Sequence, residues 1–213
     1  MPEHLIEGLR RFRTETFPRY REHYQKLVEE GQKPSTLFIG CSDSRVVPDL
    51  LTSTGPGELF IVRNVGALVP PSAPDGAYHG TAAGIEYAVL ALNVTDIVVC
   101  GHSHCGAMQS LYAPPNPEAP HLARWLELGH PARVEEWTRA ADAADEAPVP
   151  ERSDLLRTEQ RAVALQLERL MTYPSVAKRV EAGTLALHGW HYIMEEGRVL
   201  ALDVERQEFV PIP

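Results

Sequence analysis

Apolar positions Leu5, Leu9 and Phe12 recur at helical spacing, and Tyr20, Tyr24 and Leu27 repeat it after Pro18, so the chain opens on two consecutive amphipathic helices closed by Gly31. The period then changes. Thr36 to Gly40 is a short apolar run typical of a buried strand, and it delivers Cys41 at its carboxyl end. Further strands are expected over 58–63 and 96–100. The Ala-rich stretch from Thr81 to Leu92 between them reads as a helix, apolar on all sides and therefore expected to be buried. After Ser153, the residues Leu156, Val163, Leu167 and Leu170 line one helical face. Thr184 to Leu187 and Val199 to Val204 read as late strands, with a hairpin around Glu196-Gly197. Strand and helix in alternation predict an α/β fold with a mostly parallel central sheet flanked by helices and an N-terminal helical arm. Ligands of such sheets sit beyond the strands' carboxyl ends, where Cys41 and His102 both fall.

The proline-rich stretch 113–120 and the acidic, alanine- and proline-bearing stretch 142–150 read as surface connections, and neither marks a domain boundary. The expected organisation is a helical arm over 1–35 followed by one domain over 36–213. Periodicity alone leaves open whether the arm's apolar face packs on a partner or on its own core. A formal charge of −9 argues against nucleic acid as a partner. No apolar stretch reaches membrane-spanning length, and the opening Met1-Pro2-Glu3-His4 lacks an export pattern, so no membrane partner is expected. Three cysteines cannot all pair internally, and reduced thiols in a cytoplasmic protein are the expectation.

The chemistry concentrates in two short blocks. Within Gly101-His102-Ser103-His104-Cys105-Gly106, His102 and Cys105 stand three apart and can face one ion from a single helical turn. Alone the pair could equally be a packed cysteine beside a half-exposed histidine. With Cys41 it makes three zinc ligands, two thiolates and an imidazole, leaving one tetrahedral position open as in catalytic rather than structural sites. Cys100, inside the apolar run 97–100, reads as a small core residue, and His104 as a residue at the surface or behind the ligands. In Cys41-Ser42-Asp43-Ser44-Arg45 an acid and a guanidinium stand two apart. Without a metal they would be a local turn cap and surface ion pair. Beside one, Arg45 can hold Asp43 ionised so that the carboxylate orients a nucleophile, or Asp43 can itself take the open metal position.

The two blocks together resemble the paired signature of β-class carbonic anhydrases. The resemblance continues through Pro56-Gly57-Glu58-Leu59-Phe60, Arg63-Asn64-Val65-Gly66, the run from Gly80 to Tyr87, and Leu170-Met171-Thr172-Tyr173-Pro174, covering most of the chain. It implies one zinc per chain on Cys41, His102 and Cys105, reversible hydration of carbon dioxide to bicarbonate and a proton through zinc-bound hydroxide, and an orienting pair in Asp43 and Arg45. It also implies an apolar substrate pocket of Phe60, Val65 and Tyr87, a backbone amide from Gly106, and a hydrogen bond from Gln32 as in the plant-like subgroup. A second subgroup has an inhibitory bicarbonate site with a tryptophan where this chain has Phe38, although Arg63 and Tyr87 match that pocket too. The family further implies a homodimer or dimer-based oligomer built through the N-terminal helices. His79 and His104 are candidate proton shuttles. Rival readings are a hydrolase of carbon disulfide or carbonyl sulfide on the same fold, a zinc-bearing scaffold without turnover, and thiol redox chemistry, the last opposed by the lack of a resolving cysteine near Cys41.

Overall fold

The computed structural model describes residues 2–73, 75, 78–135, 137 and 149–212. Six strands form one sheet in the order β2-β1-β3-β4-β5-β6: β1 Thr36–Cys41, β2 Leu59–Asn64, β3 Asp96–His102, β4 Ala186–Ile193, β5 Arg198–Asp203 and β6 Glu208–Pro211. The first four run parallel; β5 and β6 are antiparallel additions. The expected mostly parallel sheet is therefore present. Glu196 and Gly197 sit in the turn of the β4–β5 hairpin, where Gly197 takes φ +61°, the left-handed region open to glycine. The late strand expected over 184–187 starts at Ala186 and runs on to Ile193, and β6 was not expected.

Because β1 is flanked by β2 on one side and β3 on the other, the chain's crossovers leave in opposite directions from β1 and β3, and a crevice opens beyond their carboxyl ends. Cys41 closes β1 and His102 closes β3, so the topology itself brings them together.

The helices are α1 Glu3–Arg11, α2 Phe17–Glu30, α3 Pro48–Thr52, α4 Gly80–Glu86, α5 Gly106–Ser110, α6 Pro120–Leu126, α7 Arg152–Leu170 and α8 Pro174–Glu181. A π-helical turn over Phe12–Thr16 joins α1 to α2, whose first turn accommodates Pro18, so the two expected helices form one arm. Neither helix of the arm buries a residue. The arm touches the body where His23 Nε2 meets the Pro56 carbonyl at 2.8 Å and where Leu27 packs over Gly57. The helix expected over 81–92 is α4 continued by a π turn through Ala91, and it is only half buried: Thr81, Ile85, Ala88 and Val89 face inward, whereas Tyr87 and Leu90 are exposed. A largely apolar helix thus keeps one exposed face, which carries Glu86 beside Tyr87 and Leu90.

The larger core packs Leu37, Ile39, Ile97 and Val99 of the sheet against Ile85, Val163, Leu167 and Leu170. Helix α7 lies close over β3 and β4 because Gly101 and Gly189 present no side chain; a Cβ at either would stand 2.6 or 2.9 Å from Val163. A chain of hydrogen bonds running from the surface inward fastens the same helix. Arg152 donates to both oxygens of Glu159 at 3.0 and 3.3 Å, and Glu159 meets His191 Nε2 of β4 at 3.2 Å.

The chain from the first expected connection onward does more than connect. Residues 113–118 are exposed as expected, but Leu126, Ala132, Val134 and Trp137 pack into one cluster with Cys41, Leu68, Cys105 and Met108, forming a wall behind the metal-ligand positions. Of the second expected connection, 142–150, residues 142–148 lie outside the described residues. Among the described residues no helix is long and apolar enough to cross a membrane.

Candidate metal centre

The ligating atoms of Cys41, His102 and Cys105 lie within 4.8 Å of one another, and all three residues are buried. The route to this arrangement differs from the sequence expectation. His102 ends a strand and Cys105 caps the start of α5; between them a tight turn through Ser103 and His104, with His104 at φ +57°, replaces the single helical turn. A helical turn would have carried the chain straight on from β3. The reversed turn instead folds Cys105 back toward the end of β1.

The donor set fits a divalent cation. His102 Nδ1 stands 2.9 Å from the Ser103 carbonyl and donates to it, which leaves Nε2 as the bare, lone-pair nitrogen; Nε2 is buried without a hydrogen-bond partner among the described residues. Cys41 Sγ accepts the backbone N–H groups of Asp43 and Gly66, each at 3.4 Å, and amides of Met108 and Ala107 favour ionised Cys105. The bond from Cys105 draws the Cys41 thiol well below its usual range against the opposing effect of burial, and the same bond, with burial, pushes Cys105 up. A cation between them is what would let both ionise. Cys100, wholly buried, is pushed up to about 12 chiefly by desolvation and is a core thiol, as expected.

Asp43 and Arg45 form the expected fork. Arg45 Nε and NH2 donate to the two Asp43 oxygens at 2.9 and 2.7 Å, and the Arg45 backbone N–H adds a third bond at 3.0 Å. That hydrogen bonding, against a smaller opposing burial effect, holds the Asp43 carboxyl far below the ordinary carboxylate range. Asp43 Oδ2 stands 4.0 Å from His102 Nε2, so the carboxylate borders the ligand cluster.

The Arg63-Asn64-Val65-Gly66 run shapes the same crevice. Arg63 donates to the carbonyls of Cys41 and Asp43 at 3.0 and 2.7 Å. Asn64 exchanges two bonds of 2.8 Å with Leu68, holding a turn in which Gly66, at φ +81°, aims its N–H at Cys41. Val65 is 41% exposed and lines an open pocket with Ser42, Arg63, His79 and Trp125, while its carbonyl accepts the Trp125 indole N–H at 2.7 Å. Gly106 follows Cys105 as the first residue of α5.

Phe60, Tyr87 and Gln32 stand elsewhere. Phe60 pairs with Leu37, four residues before Cys41 in β1, which at the rise of a strand is about 13 Å short of the sheet's ligand end. Its ring lies 5.6 Å from that of Tyr87. Gln32 is exposed and precedes β1, so that whole strand separates it from Cys41. The single pocket of Phe60, Val65 and Tyr87 expected from the sequence is therefore divided within one chain: Val65 at the ligand end, the two rings at the other. The reason is register. Side chains that are close in the sequence of β2 are spread along its length.

Sequence reasoning missed Trp125, which lies between the two stretches read as surface connections, and Glu195, whose carboxylate reaches Ser103 and His104 across the turn after β4. No local pattern marked either one, since their partners lie 60 or more residues away.

The sequence profile of the family described as Carbonic anhydrase matches residues 36–199. A carbonic anhydrase of Pseudomonas aeruginosa is 43% identical over 98% of this chain and 90% of its own length, and carbonic anhydrase 1 of Escherichia coli is 40% identical over 98% and 91%. Among solved structures, the β-carbonic anhydrase CcaA superposes with a TM-score of 0.85 at 38% identity, over 99% of this chain and 92% of that one. A tetrameric β-carbonic anhydrase of Sordaria macrospora follows at 0.79 and 28%, over 94% and 96%. Coverage of almost the whole chain, agreement in fold, and two sulfurs and an imidazole gathered at the sheet's switch point lead to one conclusion: the chain belongs to the carbonic anhydrase family, in its β class.

Proposed function

We propose that this member of the family carries out the family's reaction, reversible hydration of carbon dioxide to bicarbonate and a proton, with one zinc ion held by Cys41, His102 and Cys105. The observation that carries the reading is the convergence of two sulfurs and an unpartnered imidazole nitrogen beside a carboxylate already held by a guanidinium. Bound at these residues, zinc would supply Lewis acidity, lowering the pKa of water far below its bulk value. Asp43, always ionised, accepts a hydrogen bond from the attacking oxygen and turns its lone pair toward the substrate carbon. Arg45 occupies both Asp43 oxygens, which favours a resting site open to water over one closed by the carboxylate. Val65 offers an apolar wall and the Gly106 amide a donor for the product's oxygen. His79 borders the pocket shared with Val65, and His104 stands at the outer side of the ligand loop; either is placed to pass a proton outward.

The displacement of Phe60, Tyr87 and Gln32 to the other end of the sheet supports a site shared between two chains, each supplying those three residues to its neighbour. The arm over 1–35, which buries none of its helical residues, is the contact we assign to that dimer, with 36–213 as the catalytic domain. The tetrameric relative from Sordaria macrospora is consistent with further association. Phe38 favours the plant-like subgroup: it is fully buried against the edge of Trp190, and Arg63 is engaged by two carbonyls, which leaves little of an inhibitory bicarbonate pocket. Three free cysteines suit a reducing cytoplasm.

Stopped-flow hydration of carbon dioxide, run beside assays for sulfide release from carbon disulfide and carbonyl sulfide, tests the reading. Expected are hydration by protein carrying one zinc per chain, loss of bound zinc in Cys105→Ser, and a fall of about 10- to 100-fold in Asp43→Ala. Full activity of metal-free protein overturns it. Sulfide release without hydration would reassign the substrate, and stoichiometric zinc without any turnover would make the protein a scaffold.

A further inference from the structure

Glu195 lies in the turn joining β4 to β5, 92 residues from Ser103 in sequence, yet both of its carboxylate oxygens are committed to the ligand loop. Ser103 Oγ donates to Oε2 at 2.7 Å, and His104 Nε2 lies 3.1 Å from Oε1. Ser103 is wholly buried, its hydroxyl also accepts the Met194 N–H at 3.0 Å, and its own N–H donates to the Tyr192 carbonyl at 2.8 Å. The two residues between His102 and Cys105 are therefore bound by side chain and backbone to β4 and its turn.

This matters because of the conformation between the ligands. His104 has φ +57°, a left-handed state that is uncommon for a residue with a Cβ and that its hydrogen bonds here support. Glu195 holds the ring from one side. On the other, the His104 carbonyl accepts Arg45 NH2 at 3.0 Å, the same nitrogen that donates to Asp43 Oδ2. One continuous line of hydrogen bonds thus runs from Glu195 through His104 and Arg45 to Asp43. The neighbouring Glu196 takes no part: it pairs with Arg198 at 2.6 Å.

We infer that Glu195 is a positioning residue of the metal centre, fixing the reversed turn that sets the span from His102 to Cys105 and aims the His104 carbonyl at Arg45. The inference rests on the zinc reading above. It assigns to the β4–β5 hairpin, which supplies no ligand, control over how tightly the ion is kept and how the Asp43–Arg45 fork is held.

The test compares zinc-loaded parent, Glu195→Ala, Glu195→Gln and the adjacent control Glu196→Ala. Zinc transfer to a chromophoric chelator gives the release rate, and cobalt(II) substitution gives a visible spectrum that reports ligand geometry. Glu195→Ala is expected to release zinc about 10-fold faster or more, the range seen when groups that orient metal ligands are removed, and to shift the cobalt bands. Glu195→Gln, which can still accept from Ser103 but offers only one oxygen, is expected to fall between. Glu196→Ala should match the parent. Release within twofold of the parent and an unchanged cobalt spectrum in Glu195→Ala, or in Glu195→Gln if the alanine variant does not fold, overturn the inference. A parent that binds no zinc would instead overturn the reading on which it rests.

Discussion

At Asp43 three hydrogen bonds from one arginine decide the protonation state. The carboxyl is held far below its usual range, so it is ionised at every pH at which hydration can be followed, and no part of a pH profile belongs to it. Hydration requires deprotonated water, so its rate rises with pH. Two thiolates already cancel the formal charge of a zinc ion, so that rise should fall in the mildly alkaline range. Stopped-flow rates from about pH 6 to about pH 9 should therefore show one ascending ionisation and no carboxylate inflection. A flat profile would contradict the zinc reading. Replacing Arg45 with alanine returns Asp43 toward ordinary carboxylate values and brings an acid inflection into view in the reverse reaction, bicarbonate dehydration, which is measurable at lower pH. Cys41, His102, Cys105, Asp43 and Arg45 were legible in sequence because their chemistry is carried by residue type and short spacing. Glu195 was not, because nothing about a glutamate in a hairpin announces a serine and a histidine 92 and 91 residues earlier in the chain.

At the scale of elements, the site depends on how closely α7 lies over β3 and β4. The contact requires glycine at 101 and 189, and Gly101 directly precedes the ligand His102. Gly101→Ala would place a methyl 2.6 Å from Val163 Cγ2 and should destabilise the fold by about 1–3 kcal/mol, read as a lowered urea midpoint. Gly8→Ala, in α1 with nothing within 4 Å of the added carbon, should leave the midpoint unchanged or raise it slightly. The strands leading to the site were legible from short apolar runs. The turn from His102 to Cys105 was misread as helical, since spacing of three suits a helical turn and a reversed turn alike. The half-exposed α4 was misread as buried because apolar composition records that a face favours cover, without recording whether the fold supplies it.

For the whole molecule, that last point extends to the arm. Phe12, Phe17, Tyr24 and Val28 line an open, mostly apolar cleft along the π-helical turn and α2, with Phe12 43% and Val28 83% exposed, as suits the proposed contact with a second copy. Phe12→Glu together with Val28→Glu touches no core position. On the proposed shared site, where Phe60, Tyr87 and Gln32 come from the neighbour, the pair should lower the molar mass measured by light scattering toward that of one chain and reduce hydration along with it. An unchanged mass would place the contact elsewhere. The α/β architecture, the strand ends that bear ligands and the metal donor set were already determined by the sequence, for these follow from local period and from residue chemistry. Only the tertiary structure decided that β1 and β3 meet at a switch point, that Phe60 and Tyr87 lie a strand's length from the ligands of their own chain, and that a hairpin glutamate clamps the ligand loop. These are relations between distant segments, and they exist only once strand order and register have been chosen by packing.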